Sequence, residues 1–304
     1  MKRTFSLALA AAVSLSLLAG CAPKEPPAPS ASSASSSQTQ QEPAGSQEEP
    51  ADSSAAPTDP SGELKLKKFK NIQLSVLSPN IRIQRGEDWS IRYTLHAKEE
   101  ITRAEVVDET LFFTSGFQMT PGMGFEDFEL VITIPADAQL EDVELSTAAG
   151  TIELADLTME ALDAESVSGS VKLTGLVCQS LDAESISGDV ILTNCTAKEA
   201  EASSTSGGVR LDGSFGDADL HSVSGTCELY AQIEQEAKIK TVSGPIKAQA
   251  PVQKLEIESL GAIVTDGQKQ SGKNVVIGEG SPVLSIESVS GAVHADRNVL
   301  IAIQ

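Results

Sequence analysis

Residues 162–188 read LDAESVSGSVKLTGLVCQSLDAESISG. The two copies of Leu-Asp-Ala-Glu-Ser begin 19 residues apart, and each is followed by an aliphatic residue, a serine and a glycine. Related endings recur at 149–150, 205–207, 223–225, 242–244 and 289–291. The glycines from 150 to 244 are 19, 19, 19, 18 and 19 residues apart. A fixed period of about 20 residues with strand-like flanks predicts a solenoid, in which each repeat is one rung.

Apolar residues stand at fixed distances from each repeat glycine. Seven residues before it stand Val143, Leu162, Leu181, Ala200, Ala218, Ala237, Leu255 and Leu284. Five before it stand Leu145, Ala164, Ala183, Ala202, Leu220, Ile239, Ile257 and Ile286. Two after it stand Ile152, Val171, Val190, Val209, Cys227, Ile246, Val264 and Val293, with Ala262 taking the glycine position in the seventh repeat. This alternation predicts two short strands facing one core, joined at a corner where glycine permits a positive φ or a close backbone approach.

We therefore expect an all-β fold, a parallel β-solenoid or β-helix of right-handed coil, with about eight rungs of about 19 residues over 143–304. The spacing between the last two repeats grows to 29 residues, which indicates an inserted loop or hairpin at about 265–281. Residues 63–142 alternate less regularly, and we interpret them as an irregular β cap at the N-terminal end. Five phenylalanines concentrate there, either as the core of that cap or as a surface-binding patch: Phe112, Phe113, Phe117, Phe125 and Phe128.

The first 20 residues have the features of a lipoprotein signal peptide. Lys2 and Arg3 precede an apolar run, and Leu18-Ala19-Gly20-Cys21 matches a bacterial lipobox. Cys21 is therefore the predicted lipidated N-terminus of the mature chain. The apolar run is short for a membrane span. Residues 21–62 are rich in Ser, Ala, Pro and Gln and form a predicted disordered tether, which would hold the folded part away from its membrane.

Charge restricts the classes of partner. The whole chain carries a net charge of −21, and removal of Lys2 and Arg3 leaves 20 basic against 43 acidic residues, a net charge of −23. Such a chain is not expected to bind nucleic acid or to adhere electrostatically to anionic lipid, so its predicted membrane contact is the N-terminal lipid. We expect it on the extracytoplasmic face of the bacterial membrane, at a cell surface of Gram-positive type.

Three further motifs complete a family resemblance. They are Pro135-Ala136-Asp137-Ala138, Gly-Thr-Ile-Glu-Leu at 150–154, and the ending that runs from Gly280-Ser281 to Ser288-Val289-Ser290-Gly291. Together with the Val-Ser-Gly repeats, the chain resembles the bacterial "putative adhesin" family over about residues 69–298. The resemblance implies a repetitive β-solenoid domain of a surface protein. That family has no established catalytic signature to transfer to this sequence.

Carboxylates also recur with the period. Six residues before the glycines stand Glu144, Asp163, Asp182, Glu201 and Asp219, and four before stand Glu165 and Glu184. Outward positions on successive rungs align, so each adjacent pair would repel by roughly 0.9 kcal/mol at about 4.8 Å in water. We hypothesise a cation-binding face that would take calcium, a cationic peptide or a basic partner protein; a merely solvated acidic face is the alternative. Its candidate residues are Asp163, Glu165, Asp182, Glu184 and Glu201.

Hydroxyl and thiol groups have structural interpretations. A serine or threonine stands three residues before the repeat glycines. We expect the hydroxyls to form an internal ladder near the bend, with a sugar-binding stripe as the alternative. The residues are Thr147, Ser166, Ser185, Ser204, Ser222 and Thr241. Cys227 occupies an inward position and is expected to be a small buried hydrophobe. Cys178 and Cys195 lie on adjacent rungs but two positions out of register, so their ideal separation is too long for a disulfide. Irregular corners could bring the two cysteines close enough to form one.

The sequence favours binding over catalysis. No nucleophile elbow, phosphate-binding loop or metal-ligand spacing stands out, and no cofactor or catalytic residue is predicted. We expect a non-catalytic, lipid-anchored surface protein, an adhesin-like scaffold that binds an extracellular protein, peptide or glycan. A cell-envelope stress sensor that binds cationic peptides or an envelope partner is the alternative. A polysaccharide-acting β-helix enzyme is a third possibility, which the short rungs and scattered basic residues disfavour.

Overall fold

A computed structural model of the chain describes residues 59–96, 99–116 and 128–297. Within these ranges the chain forms 22 β-strands and no helix, and all the strands join one sheet. They belong to one compact unit, Glu48–Gln304. In this described part of the chain, no helix is long and apolar enough to cross a membrane. The predicted all-β class is confirmed.

The strands follow one another along the chain with few residues between them. They are β1 (Ser61–Lys65), β2 (Asn71–Val76), β3 (Asn80–Gly86), β4 (Ser90–Thr94), β5 (Glu100–Val107), β6 (Thr110–Gly116), β7 (Glu129–Pro135), β8 (Asp142–Thr147), β9 (Ile152–Ala155), β10 (Ala161–Ser166) and β11 (Val171–Thr174). The remaining strands are β12 (Val177–Ser185), β13 (Val190–Ser204), β14 (Val209–Ser222), β15 (Cys227–Thr241), β16 (Ile246–Gln249), β17 (Lys254–Ser259), β18 (Ile263–Thr265), β19 (Gln268–Lys269), β20 (Asn274–Gly278), β21 (Val283–Ser288) and β22 (Val293–Asp296).

The strands form two ladders that are joined at the corners. In order across the sheet, the first ladder comprises β5, β6, β2, β8, β10, β12, the second halves of β13, β14 and β15, then β21, β17 and β20. The second ladder comprises β1, β4, β7, β3, β9, β11, the first halves of β13, β14 and β15, then β16, β22, β18 and β19. A level is one strand of each ladder with the corner between them.

Neighbouring levels are in the register that the repeat predicts. Leu162 pairs with Leu181 and Ala164 with Ala183 in parallel strands of the first ladder. Val171 likewise pairs with Val190 in the second ladder. Because side chains alternate between the two faces of a strand, the same positions point inward at every such level. A cluster of buried apolar side chains runs from Phe69 to Ala295 and forms one continuous core.

The corner glycines permit a close backbone approach. A Cβ atom built on Gly169 would lie 1.9 Å from the carbonyl oxygen of Gly150, and one on Gly188 would lie 2.1 Å from that of Gly169. The same contact continues at Gly207, Gly225 and later corners, and none of these corner glycines has a positive φ. Of the two reasons expected for glycine here, close approach is therefore the operative one.

The hydroxyls before each corner form an internal ladder, as one of the two interpretations predicts. Ser185 is buried; its Oγ accepts from the amide of Gly188 at 2.9 Å and donates to the carbonyl of Gly169 at 3.0 Å. Ser166 and Ser204 make the same pair of bonds at their own levels. Since these hydroxyls are buried and bonded within the protein, the sugar-binding stripe is wrong.

The corner of the seventh repeat lies one residue earlier than the repeat count predicts. Gly261, not Ala262, occupies the glycine position, because the amide of Gly261 donates to Ser259 Oγ at 3.0 Å and a Cβ on Gly261 would lie 2.2 Å from Gly291 O. Ile263 consequently faces the core at 3% exposure, while Val264 is only half-buried. This corner is one residue shorter than the others, so a fixed count from the glycine fails there.

The N-terminal region is less irregular than expected. Strands β2 and β6 extend the first ladder in parallel beyond β8, and β3 and β7 extend the second beyond β9. Antiparallel strands cover this end: β5 on β6, β4 on β7 and β1 on β4. Phe113 is fully buried, whereas Phe112 is half-buried and lies under the guanidinium of Arg103 at 3.6 Å.

The C-terminal repeat lies inside the stack rather than at its end. Strand β21 pairs with β15 on one side and with β17 on the other, although β17 precedes it in the chain. In the second ladder β22 lies between β16 and β18 in the same way. The predicted insertion at 265–281 supplies the antiparallel strands β19 and β20, which cover β18 and β17. Both ends of the stack therefore carry antiparallel strands outside parallel ones.

Candidate binding surfaces

The predicted acidic column lies on the outer face of the first ladder. Asp163 pairs with Glu144 on one side and with Asp182 on the other, and Asp182 pairs with Glu201. A second column stands two residues further along the strands, where Glu165 pairs with Glu184. The strand register therefore aligns the five predicted site residues, Asp163, Glu165, Asp182, Glu184 and Glu201, on one surface.

Burial and mutual repulsion alter the titration of this surface. Burial, with the neighbouring carboxylates Glu165, Glu144 and Glu184 adding to it, raises the pKa of Asp163 to about 6. Burial and then Glu184 and other carboxylates raise the pKa of Asp182 to about 7. Oxygen Oδ1 of Asp182 is buried without a hydrogen-bond partner. A nearby cation would relieve the repulsion that these groups share.

Lysines end the acidic columns. Asp219 pairs with Lys238 in the register of the first ladder, and Lys240 pairs with His221 in the second column. Burial raises the pKa of Asp219, and Lys238 is the largest influence that opposes that rise. Lys238 Nζ lies 2.9 Å from Glu236 Oε2, and Lys240 Nζ lies 3.5 Å from Glu287 Oε2. The outer face of the first ladder is thus acidic near its middle and mixed in charge toward β17.

A third outer column contains the first residue of the Val-Ser-Gly motif, which is aliphatic except at Thr205. It includes Ile186, Val242, Leu260 and Val289, which are 52%, 44%, 62% and 55% exposed. Near β17 this column borders a groove of about 990 Å³, which Lys240 and Lys273 also line. Of these four residues, Ile186 stands beside the carboxylate columns, whereas the other three lie toward β17, where the charges are mixed.

The outer face of the second ladder carries mixed charges around one aromatic ring. Glu228 accepts hydrogen bonds from Lys247 Nζ at 2.8 Å and from Arg210 Nη1 at 3.0 Å. The guanidinium carbon of Arg210 lies 4.6 Å from the centroid of the Tyr230 ring. A depression of about 310 Å³ lies against Tyr230, Lys247 and their neighbours. The repeat pattern does not indicate this group, whose only signal in the sequence is one aromatic residue at an outward position.

A buried carboxylate in the N-terminal region was also missed. Glu99 is 4% exposed and accepts hydrogen bonds from the hydroxyls of Ser78 and Ser115 and, at 3.1 Å, from the amide of Leu77. These donors come from the turn after β2 and from β6. The contacts fix the strand ends around Glu99, which gives this residue a structural role.

In the part of the chain that the structure describes, the cysteines form no disulfide and no metal-binding cluster is present. Cys178, Cys195 and Cys227 are buried free thiols, so the possible Cys178–Cys195 disulfide is absent. Burial raises the pKa of Cys178 and of Cys227 to about 12 in each case. Over residues 59–96, 99–116 and 128–297, no group of three or more His, Cys, Asp and Glu side chains could hold a metal ion.

Several predicted features lie outside the described residues. They are the signal peptide at 1–20, the lipidation site Cys21, nearly all of the tether at 21–62, and Phe117 and Phe125.

Comparison with known proteins identifies the family. The family model described as Toastrack DUF4097 matches residues 69–295. The chain belongs to the Toastrack DUF4097 family. This match agrees with the resemblance expected over about 69–298. No curated protein matches the chain.

Three solved structures illustrate the likeness. One, named "putative adhesin", from Bacteroides fragilis, is 15% identical with a TM-score of 0.50 over 81% of this chain and 98% of its own. Another of that name, from Parabacteroides distasonis, is 15% identical with a TM-score of 0.44 over 77% and 95%. A "putative lipid binding protein" of the same organism is 15% identical with a TM-score of 0.45 over 77% and 95%. At such identity, the Bacteroides likeness concerns the fold alone.

Proposed function

We propose that this Toastrack protein is a lipid-anchored, non-catalytic surface protein that binds its partners in the manner of an adhesin. The observation that carries the proposal is the difference between the inward and the outward positions of each level. Inward positions form one continuous apolar core, whereas carboxylates stand in columns on the outer face of the first ladder. Such an array presents many equivalent contacts along a rigid scaffold, which suits binding to an extended ligand.

The anchor and the coil geometry belong to the same proposal. The lipobox at 18–21 and the polar tether that follows favour attachment through Cys21 to the extracytoplasmic face of a Gram-positive-type membrane. The coil is proposed to be right-handed, since parallel crossover connections are right-handed in about 98% of cases. It would comprise eight repeats from Val143 onward, with the levels β2–β3 and β6–β7 added at the N-terminal end.

The experiment that tests binding uses residues 59–304, without lipid or most of the tether. The protein is applied to an array of glycans, matrix proteins and cationic peptides, once in millimolar calcium and once in EDTA. A selective and saturable interaction with a glycan or matrix protein supports the adhesin-like function. Dependence on calcium assigns a cation to the acidic columns. Turnover of a polysaccharide in the same samples would overturn the non-catalytic proposal.

A second candidate function is capture of cationic amphipathic peptides, as in an envelope-stress sensor. It is favoured by the carboxylate columns beside exposed Ile186, because a peptide with a basic face and an apolar face would contact both. Its test is titration with an amphipathic Lys/Leu peptide, with polylysine as the comparison. Stronger binding of the amphipathic peptide, lost in the double variant Glu165→Gln/Glu184→Gln, supports capture. Equal binding by that variant and the parent contradicts it, and Glu199→Gln serves as the matched control.

A further inference from the structure

Tyr230 is an aromatic side chain held at a fixed position on the outer face of the second ladder. It is half-buried, and Arg210, from the neighbouring strand β14, lies over its ring at 4.6 Å. Cation–π contacts of this kind orient an aromatic ring as well as stabilise it. One face of the Tyr230 ring is therefore occupied from within the protein.

Glu228 fixes the charged side chains beside the ring. Its carboxylate lies 2.8 Å from Lys247 Nζ and 3.0 Å from Arg210 Nη1, and these bonds span three successive levels. The hydrogen bond from Lys247, opposed in part by burial, lowers the pKa of Glu228. A site whose walls are already tied to one another loses little conformational freedom on binding a ligand.

The depression of about 310 Å³ opens on the other side of Tyr230. Its lining is Tyr230, Lys247, Ala248, Gln249 and His294. Lys247 and Gln249 come from β16, which lies on the opposite side of β15 from Arg210, and Gln249 is paired directly with Tyr230. His294 follows on β22, one level further. The depression thus spans two strand spacings, roughly 9.6 Å, with an aromatic wall and three hydrogen-bonding side chains.

The charge of this site selects among ligand classes. Arg210 and Lys247 are balanced locally by Glu228 and Asp212, which lies 3.5 Å from Arg210. The whole chain carries −21, so a polyanionic ligand would be repelled. A pyranose ring presents C–H groups that pack on the negative face of an aromatic ring, while its hydroxyls bond to amide, imidazole and ammonium groups. These requirements match the lining of the depression.

We propose that this depression binds one pyranose ring of a neutral saccharide. The sugar ring stacks on Tyr230 from the side of the depression, and its hydroxyls bond to Gln249, Lys247 and His294. This inference rests on the proposed adhesin-like function and names a ligand class for it. It also gives the second ladder a role distinct from that of the acidic columns on the first.

The test measures binding of neutral sugars to residues 59–304 by saturation-transfer NMR and calorimetry. The probes are the methyl pyranosides of glucose, galactose, mannose and N-acetylglucosamine, together with one neutral oligosaccharide of each sugar. We expect binding to at least one series, with saturation transfer strongest at the C–H groups of one sugar face. Tyr230→Ala should weaken that binding roughly tenfold or more, whereas Tyr230→Phe should retain most of it.

Controls separate this inference from the function on which it rests. Lys172→Ala alters the same outer face outside the depression and should leave sugar binding unchanged. Melting curves show whether Tyr230→Ala is folded, and Gln249→Ala, which keeps the ring, should also weaken binding. If no neutral sugar binds the parent protein, or if Tyr230→Ala and Gln249→Ala both bind normally, the saccharide site is refuted. Selective binding of a matrix protein or peptide in the array would still support the proposed function.

Discussion

The hydroxyl of Ser185 donates a hydrogen bond to the carbonyl of Gly169, which belongs to the preceding level, at 3.0 Å. The same oxygen accepts from the amide of Gly188 in its own corner at 2.9 Å. One buried side chain thus satisfies two backbone groups that the turn removes from the strand ladders. The repeated serine and glycine are coupled because each hydroxyl needs the close approach that a glycine permits.

Replacing Ser185 with alanine should lower the free energy of unfolding by about 2 kcal/mol, because two backbone groups lose their partner at a buried corner. Urea denaturation followed by circular dichroism measures this change. Ser185→Thr should retain most of the stability, since Thr147 accepts the equivalent bond from Gly150 at 3.1 Å. Exposed Ser187→Ala is the matched control, and an equal loss in both alanine variants would contradict the role of the ladder.

Adjacent Gly207 and Gly208 allow a test of the close approach. A Cβ on Gly207 would lie 2.0 Å from the carbonyl oxygen of Gly188, whereas one on Gly208 would lie 3.4 Å from its nearest neighbour, Thr226 O. Gly207→Ala should therefore cost about 3 kcal/mol or more, or prevent folding. Gly208→Ala should have almost no effect on the melting temperature. Similar melting temperatures for the two variants would show that the backbones can separate at little cost.

The periodic part of this fold could be predicted from sequence, and its exceptions could not. Leu162 and Leu181 share a position because the 19-residue period specifies both the strand register and the inward face. The corner at Gly261 could not be placed, because the repeat count assigns the corner to the next residue, an alanine. Only the backbone contacts of Gly261 show that this corner is one residue shorter than the others. The position of β21 was equally hidden, since its inward residues Leu284 and Ile286 suit any level of the stack.

The candidate surfaces also divide into a periodic part, which could be predicted from the sequence, and a part that could not. Alignment of Asp163 with Asp182 follows from the period, so the acidic columns were predictable residue by residue. The group around Tyr230 was not, because Arg210 and Tyr230 stand at different distances from their glycines and meet diagonally across two strands. Counting from the repeat glycines compares residues at the same position in each repeat, so it does not detect a contact between residues at different positions.

The ionisation of Asp182 should lower stability as the pH rises from about 4 to about 7. Folding raises the pKa of Asp182 from its ordinary value of 3.8 to about 7, mainly through burial. Between these values the folded state binds more protons than the unfolded state, so raising the pH favours unfolding. Asp182→Asn should therefore be more stable than the parent at pH 8 by more than about 1 kcal/mol, and by much less at pH 4.

Thermal melts of both proteins from pH 4 to pH 8 measure this effect. Exposed Glu234→Gln, which also removes one carboxylate but lies outside the acidic columns, is the matched control. If Asp182→Asn has the same slope as the parent, ionisation of the buried Asp182 does not destabilise the folded state.

Removal of residues 64–134 should cause aggregation. The deletion takes away β2 and β3, which pair directly with β8 and β9, and so leaves both of those strands with a free edge. Size-exclusion chromatography with light scattering would detect the change, and the protein that begins at residue 59 should remain monodisperse as the control. A soluble monomer after the deletion would contradict the capping role of the N-terminal strands.

The inserted position of the C-terminal repeat should give it unusual protection for a segment near the chain end. Strand β21 is hydrogen-bonded on both sides, to β15 and to β17. Strand β20 is paired on one side, with β17. Amides of β21 can exchange only when a neighbouring level also opens, so their exchange should approach the rate set by global unfolding. Amides of β20 should exchange faster, although β20 precedes β21 in the chain. Hydrogen exchange followed by mass spectrometry distinguishes the two segments, and faster exchange in β21 than in β20 would mean that the C-terminal repeat detaches on its own.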